Sequence, residues 1–280
     1  MAEHTRLGAS LAGTGPSVNG GIGKAVNRLP PQTYFVVSAV FHYLGPAFAV
    51  LLFANVSVLG VAWLRIASAA VVFAIWRRPW RLLLHSPWPQ RRTLIELGVV
   101  LAAMNACFYL AIARLPLGTV SAIEFLGQIL LAALGTRTRR NVLALLLAVV
   151  GGVLLADVRL AGEPLGFLFA VANGALFMLY VVLGHRIANE PQAAEPRKGG
   201  VSAAQTERGV SGIDRLGASM LVAALVISPI GLGDAAPAFT NPALLFVGIG
   251  VGLCSSVIPY VTDQLAMARL PRATFALLLS

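Results

Sequence analysis

Charge is what this sequence has least of. Asp, Glu, Lys and Arg make up 11% of its 280 residues, where a soluble domain carries about 25%. That shortage excludes a water-facing surface. Together with a mean hydropathy of +0.81 it also excludes disorder, because disordered chains are apolar-poor and charge-rich. Acidic residues are scarcer still, 11 against 21 Lys+Arg, for a net charge of +10. The cations sit in short clusters between long apolar runs, the pattern of membrane loops, so no nucleic-acid partner is expected. Cysteine is limited to Cys107 and Cys254, both inside apolar runs, which leaves no disulfide framework. The first 33 residues are Gly-rich and polar without a continuous apolar stretch, so no signal peptide is read there and a disordered tail is expected. Lys24 follows Gly20-Gly21-Ile22-Gly23, but Val18 and Ala25 occupy the positions where a P-loop needs glycine and a hydroxyl. There is no H-E-x-x-H, no metal-spaced Cys/His cluster and no nucleophile elbow. The chain is therefore not read as an enzyme, and neither cofactor nor metal is expected.

What is abundant is apolar sequence: residues of the AVILMFWYC set reach 58%. A spanning helix needs about 20 mostly apolar residues. That ruler places spans at Tyr34–Ala54, Val56–Trp76, Leu94–Ala113, Pro116–Gly135, Asn141–Ala156, Pro164–Gly184, Leu216–Gly233 and Ala243–Ala268, with a ninth beginning near Ala273. Period-2 alternation is missing, which argues against a barrel. With the N-terminus in the cytoplasm, eighteen cations fall in inner segments and two, Arg114 and Arg159, in outer loops. The positive-inside rule therefore predicts that the N-terminus lies inside, and the Arg bias of the cations, 19 of 21, goes with a bacterial inner-membrane protein. Trp76, Trp80 and Trp88 cluster at the inner end of the second span, as an aromatic belt would. The connection 185–215, rich in Pro, Glu and Gly, reads as a flexible cytoplasmic linker.

Leu110–Thr119 (LAIARLPLGT) and Leu265–Thr274 (LAMARLPRAT) match at seven of ten positions, offset by 155 residues. By the helix count one copy lies outside and the other inside, so the two halves, 34–156 and 157–280, are read as inverted five-helix repeats, an arrangement common in transporters. The same offset places the end of the second half near residue 311, so the rest of a ninth helix and a tenth are expected beyond Ser280.

Several motifs carry a resemblance. They are Trp63-Leu64-Arg65, Arg78-Pro79-Trp80-Arg81, Met104-Asn105 through Phe108-Tyr109-Leu110, Leu115-Pro116-Leu117-Gly118, Ala122-Ile123-Glu124-Phe125-Leu126-Gly127, and Pro259-Tyr260 through Leu270-Pro271-Arg272-Ala273-Thr274-Phe275. On these, residues 34–280 resemble the drug/metabolite transporter superfamily, EamA-type exporters, and within it the threonine/homoserine exporter branch of the RhtA type. Gln128 departs from the branch, which has proline after that glycine. The resemblance implies an all-α polytopic fold of five plus five helices and export of a small metabolite.

Counting residues inward at 1.5 Å each puts Arg65, Glu124 and Asn105 at about the same depth, roughly 12–14 Å, near the middle of a core about 30 Å thick. Unpaired, such charges are expensive in a membrane. Two readings stand: a static Arg65–Glu124 clamp between helices, or a substrate- and proton-binding site that uses both charges on a zwitterionic amino acid. Polar stripes at helical spacing extend the candidate set. Asn105 and Tyr109 share a face, as do Glu124 and Gln128; Asn173, Phe177 and Tyr180 form another, and Ser256, Tyr260 and Asp263 a third. Each stripe is open between cavity lining and interhelical hydrogen bonding. Asp263 is placed nearer the cytoplasmic end, facing headgroups or Arg269. His42 is read as a packed histidine or a proton relay. Pro46 and Pro259 are expected to kink their helices and free carbonyls, and Gly248-x-x-x-Gly252 to mark close helix packing.

The reading is a secondary exporter of small amphipathic metabolites, an amino acid such as threonine or homoserine, driven by protons through alternating access. Its expected partners are the lipid bilayer, a small-molecule substrate and protons, with a homodimer left open. A broader drug, nucleoside or metabolite exporter and an inert truncated scaffold are the alternatives.

Overall fold

A computed structural model of the chain describes residues 31–133, 150, 163–189 and 201–268, with some side chains, Gln128 among them, left undescribed. Among the described residues every regular element is helical. Helix α1 (Pro31–Ala49) runs on as a 3-10 turn, Val50–Ala54. It is followed by α2 (Val58–Arg77), the short α3 (Trp80–His85), α4 (Trp88–Ile112) and α5 (Leu117–Ala133). The second half holds α6 (Pro164–Asn189), α7 (Val201–Gly231), the short α8 (Ala236–Thr240) and α9 (Pro242–Gly252). A π-helical turn, Leu253–Val257, joins α9 to α10 (Ile258–Met267).

Six of these stretches are long and apolar enough to cross a membrane: Val36–Ala54, Val58–Arg77, Trp88–Ile112, Pro164–Asn189, Gly212–Gly231 and Pro242–Met267. This is the expected all-α polytopic fold. α5 carries a shorter apolar stretch, Leu117–Gly127. Val150 aside, the expected span Asn141–Ala156 lies outside the described residues, as do the start of a ninth and the last six residues of the second repeat motif. Two boundaries move. α4 begins at Trp88, six residues before its apolar run, because Pro89 is well placed in a first helical turn and Arg92 pairs with Glu96 one turn on, at 2.7 Å. The segment read as a linker, 185–215, is helical to Asn189 and again from Val201.

The core is apolar, and apolar side chains also cover the outer face. On α1, Val36, Val40, Leu44 and Phe48 are exposed, whereas Ser38 and His42 point inward and are buried. A lipid solvent explains this, since tails accept apolar side chains and polar groups must find partners inside. α4 sits at the centre against α6 and α7; α2 packs on α7 and α9, and α10 on α1. Trp76, Trp80 and Trp88 are exposed together at one end, where an aromatic belt was expected.

Small residues set the closest approaches. A Cβ on Gly252 would lie 1.7 Å from Ser68 Oγ and 2.8 Å from the Arg65 carbonyl oxygen, and one on Gly248 3.1 Å from Leu64 Cδ1. The Gly248-x-x-x-Gly252 stripe thus seats α9 on α2, as expected. A Cβ on Gly45 would lie 2.2 Å from Ser255 Cβ, so α1 touches the π turn almost backbone to backbone. Trp63 Nε1 ties α2 to α7 by donating to Ser228 Oγ at 2.9 Å. Both cysteines are free.

Candidate functional site: a charged cavity between the helices

The site starts from a proline. In an α-helix the amide of residue 259 would donate to the carbonyl of Ser255; Pro259 has no N–H, so that carbonyl is left free. The helix opens into the π turn at this point, a distortion that recurs at functional sites. Arg65, buried on α2, takes both groups it offers. Its Nη2 donates to the Ser255 carbonyl at 2.6 Å and its Nε to Ser256 Oγ at 2.8 Å. The guanidinium also lies over the Tyr109 ring, 5.8 Å from its centroid.

Glu124 has other partners. Asn173 Nδ2 on α6 donates to its Oε2 at 2.7 Å. His42 Nε2 on α1 lies 3.7 Å from Oε1, and no hydrogen bond reaches that second oxygen. Arg65 and Glu124 thus form no ion pair with one another: Arg65 is held by Ser255 and Ser256, and Glu124 by Asn173 with His42 beside it. Both nevertheless line one cavity, with His42, Met104, Asn105, Phe108, Asn173, Phe177 and Tyr260. Its volume of about 10 Å³ has room for about one water molecule.

A second carboxylate lies beside this cavity. Asp263 is buried rather than facing headgroups, which corrects the sequence expectation; Arg269 lies outside the described residues. Ser38 Oγ donates to its Oδ1 and the Tyr180 hydroxyl to its Oδ2 at 3.3 Å. Aromatic rings join the two carboxylates: Tyr180 to Tyr260 at 5.3 Å between centroids, and Tyr260 to His42 at 6.3 Å.

Of the predicted residues, Arg65, Asn105, Glu124, Asn173 and Tyr260 meet at the cavity. Tyr109 stacks under Arg65, and Tyr180 and Asp263 form the neighbouring cluster. The side chain of Gln128 lies outside the described ones. The predicted set omits His42, Ser38 and Ser255. A signal for the first two was present, since they stand four apart on α1 as its inward polar pair against an apolar outer face.

No family model matches the chain. It is 31% identical over 243 residues to the threonine/homoserine exporter RhtA of Escherichia coli (strain K12), and 30% identical over the same length to that of Salmonella typhimurium (strain LT2). Each match takes in 84% of this chain and 74% of the relative. The chain belongs to the RhtA exporter family. As an RhtA-family protein it is a multi-pass inner-membrane transporter and not an enzyme.

Proposed function

We propose that the chain exports an amino acid such as threonine or homoserine, coupled to protons, by alternating access, with its N-terminus in the cytoplasm. The observation that carries this reading is that one cavity holds a guanidinium on one side and a carboxylate on another, without the two neutralising each other directly. A zwitterionic amino acid complements that arrangement: its carboxylate meets Arg65 and its ammonium meets Oε1 of Glu124, which accepts no hydrogen bond and has His42 as its neighbour. A protonated Glu124 cannot hold an ammonium, so proton and substrate compete for one group, which is the basis of exchange. His42, 3.7 Å away, offers a second station for the proton. The relatives' names support the substrate class.

A cavity with room for about one water is too small for an amino acid, so loading requires the helices to part. The repeat supports a way to do this. Shifted by the 155-residue offset, α2 becomes 213–232 against the observed span Gly212–Gly231, and α4 becomes 243–267 against Pro242–Met267. Two matched halves that rock about a midplane site would expose it alternately. The eighteen-to-two distribution of cations supports the orientation.

Cells producing the protein and preloaded with labelled threonine, homoserine, an apolar amino acid or a nucleoside provide the test. Faster loss of the first two than from cells without the protein, abolished by a protonophore, is expected. Loss of the nucleoside alone contradicts the reading.

A further inference from the structure

We propose that Asn105 and Tyr260 form a hydroxyl-reading pair, which selects amino acids bearing a side-chain hydroxyl over apolar analogues of equal size. This rests on the amino-acid reading above and assigns the part of the cavity that the two charges leave unused.

Asn105 Nδ2 donates to the Leu101 carbonyl one turn earlier in α4, at 2.7 Å. That bond fixes the amide, and Oδ1, buried with the rest of the side chain, has no hydrogen-bond partner. The Tyr260 hydroxyl on α10 is likewise buried; Asn105 is the side chain within its reach, and no hydrogen bond of good geometry joins the two. Both residues line the same cavity as Arg65 and Glu124, and the lining contributed by Met104, Phe108 and Phe177 is apolar. With the substrate's carboxylate and ammonium assigned to the charges and His42 to the proton, the acceptor of Asn105 and the hydroxyl of Tyr260 remain for its side chain. A hydroxyl group complements both, because it donates one hydrogen bond and accepts others. Its O–H donates to Asn105 Oδ1, and the Tyr260 O–H donates to its oxygen.

The pair also has a place in the repeat. Position 260 follows position 105 by 155 residues, the offset of the repeated motif. Each half thus contributes one reader from the corresponding helix, and only a closed cavity brings both onto one substrate. A substrate with a methyl in place of the hydroxyl would leave two buried polar atoms unpaired. Sites built to bond a hydroxyl reject such analogues by as much as about 10⁴–10⁵-fold, whereas an apolar pocket separates isosteres by only about 10²-fold.

The test is flux of labelled threonine and of valine, its isostere, in proteoliposomes, for the native protein and for Tyr260→Phe and Asn105→Leu. The native protein is expected to prefer threonine by more than about 100-fold. Tyr260→Phe keeps the ring and should lower that ratio about tenfold, the size of one lost hydrogen bond; Asn105→Leu should lower it at least as far. A series of unlabelled competitors on the native protein gives a second measurement: homoserine and serine should inhibit threonine flux, 2-aminobutyrate and valine should not. Equal competition by both groups, or an unchanged ratio in Tyr260→Phe, would overturn the proposal while leaving amino-acid export standing. Should Tyr260→Phe carry neither substrate, the competition series decides. Native protein that moves neither threonine nor valine overturns the amino-acid reading and this one with it.

Discussion

Replacing Glu124 by Gln separates function from structure at this site. Gln keeps the shape, and its carbonyl can still accept the bond that Asn173 Nδ2 makes at 2.7 Å. The structural loss is the difference between a hydrogen bond to a charged group, about 1.5–3 kcal/mol, and a neutral one, about 0.5–1.5 kcal/mol. It is offset because a charge no longer has to be buried. The net change is about 1 kcal/mol or less, a shift of no more than about 4 °C in melting temperature. The functional loss is larger. A substrate ammonium deprived of its buried counter-ion loses about 2 kcal/mol or more, about 30-fold in transport at limiting substrate. What remains should no longer respond to pH through this group. The assay is thermal melting in detergent together with threonine efflux across a range of pH. Efflux within twofold of the native protein, with its pH dependence intact, would refute the role assigned to Glu124.

Other outcomes follow from the same geometry. Arg65 and Glu124 share no hydrogen-bond partner but line one cavity, so Arg65→Met and Glu124→Gln should couple by no more than about 3 kcal/mol; a double-mutant cycle with larger coupling would restore the clamp. Gly252→Ala would drive a Cβ to 2.8 Å from the Arg65 carbonyl oxygen and should cost about 1–3 kcal/mol, read as a lower melting temperature. Arg77, the last residue of α2, binds Asp214, well inside α7, through two nitrogens. Both side chains are partly exposed, so Asp214→Asn should cost about 1 kcal/mol or less. A cysteine at Ser202 should resist membrane-impermeant reagents applied to intact cells; ready labelling would reverse the topology.

Height in the bilayer was legible in the sequence, and direction around each helix was not. Counting 1.5 Å per residue put Arg65, Asn105 and Glu124 in one layer, and all three line one cavity. The same count could not say that Arg65 faces the π turn while Glu124 faces α6, because azimuth is set by which helices pack together. Asp263 shows the cost of reading depth alone. Its position in the chain suggested headgroups, yet the close approach of α1 through Gly45 brings Ser38 onto it. His42 was ambiguous for the same reason: a lone histidine acquires a role only when its neighbour across the bundle is known to be a carboxylate. The π turn was half legible. Pro259 announced a freed carbonyl, but that the guanidinium of Arg65 occupies it is a tertiary fact. Helix ends slipped where a first-turn proline and a charge pair extend a helix past its apolar run, as at Trp88.

The most direct test of the central claim is threonine flux in proteoliposomes under an imposed pH gradient with no other ion gradient. The account predicts saturable accumulation of labelled threonine against its own gradient, on the side from which protons flow outward, collapsing when a protonophore is added. Threonine that only equilibrates, at a rate unchanged by the pH gradient, would contradict it.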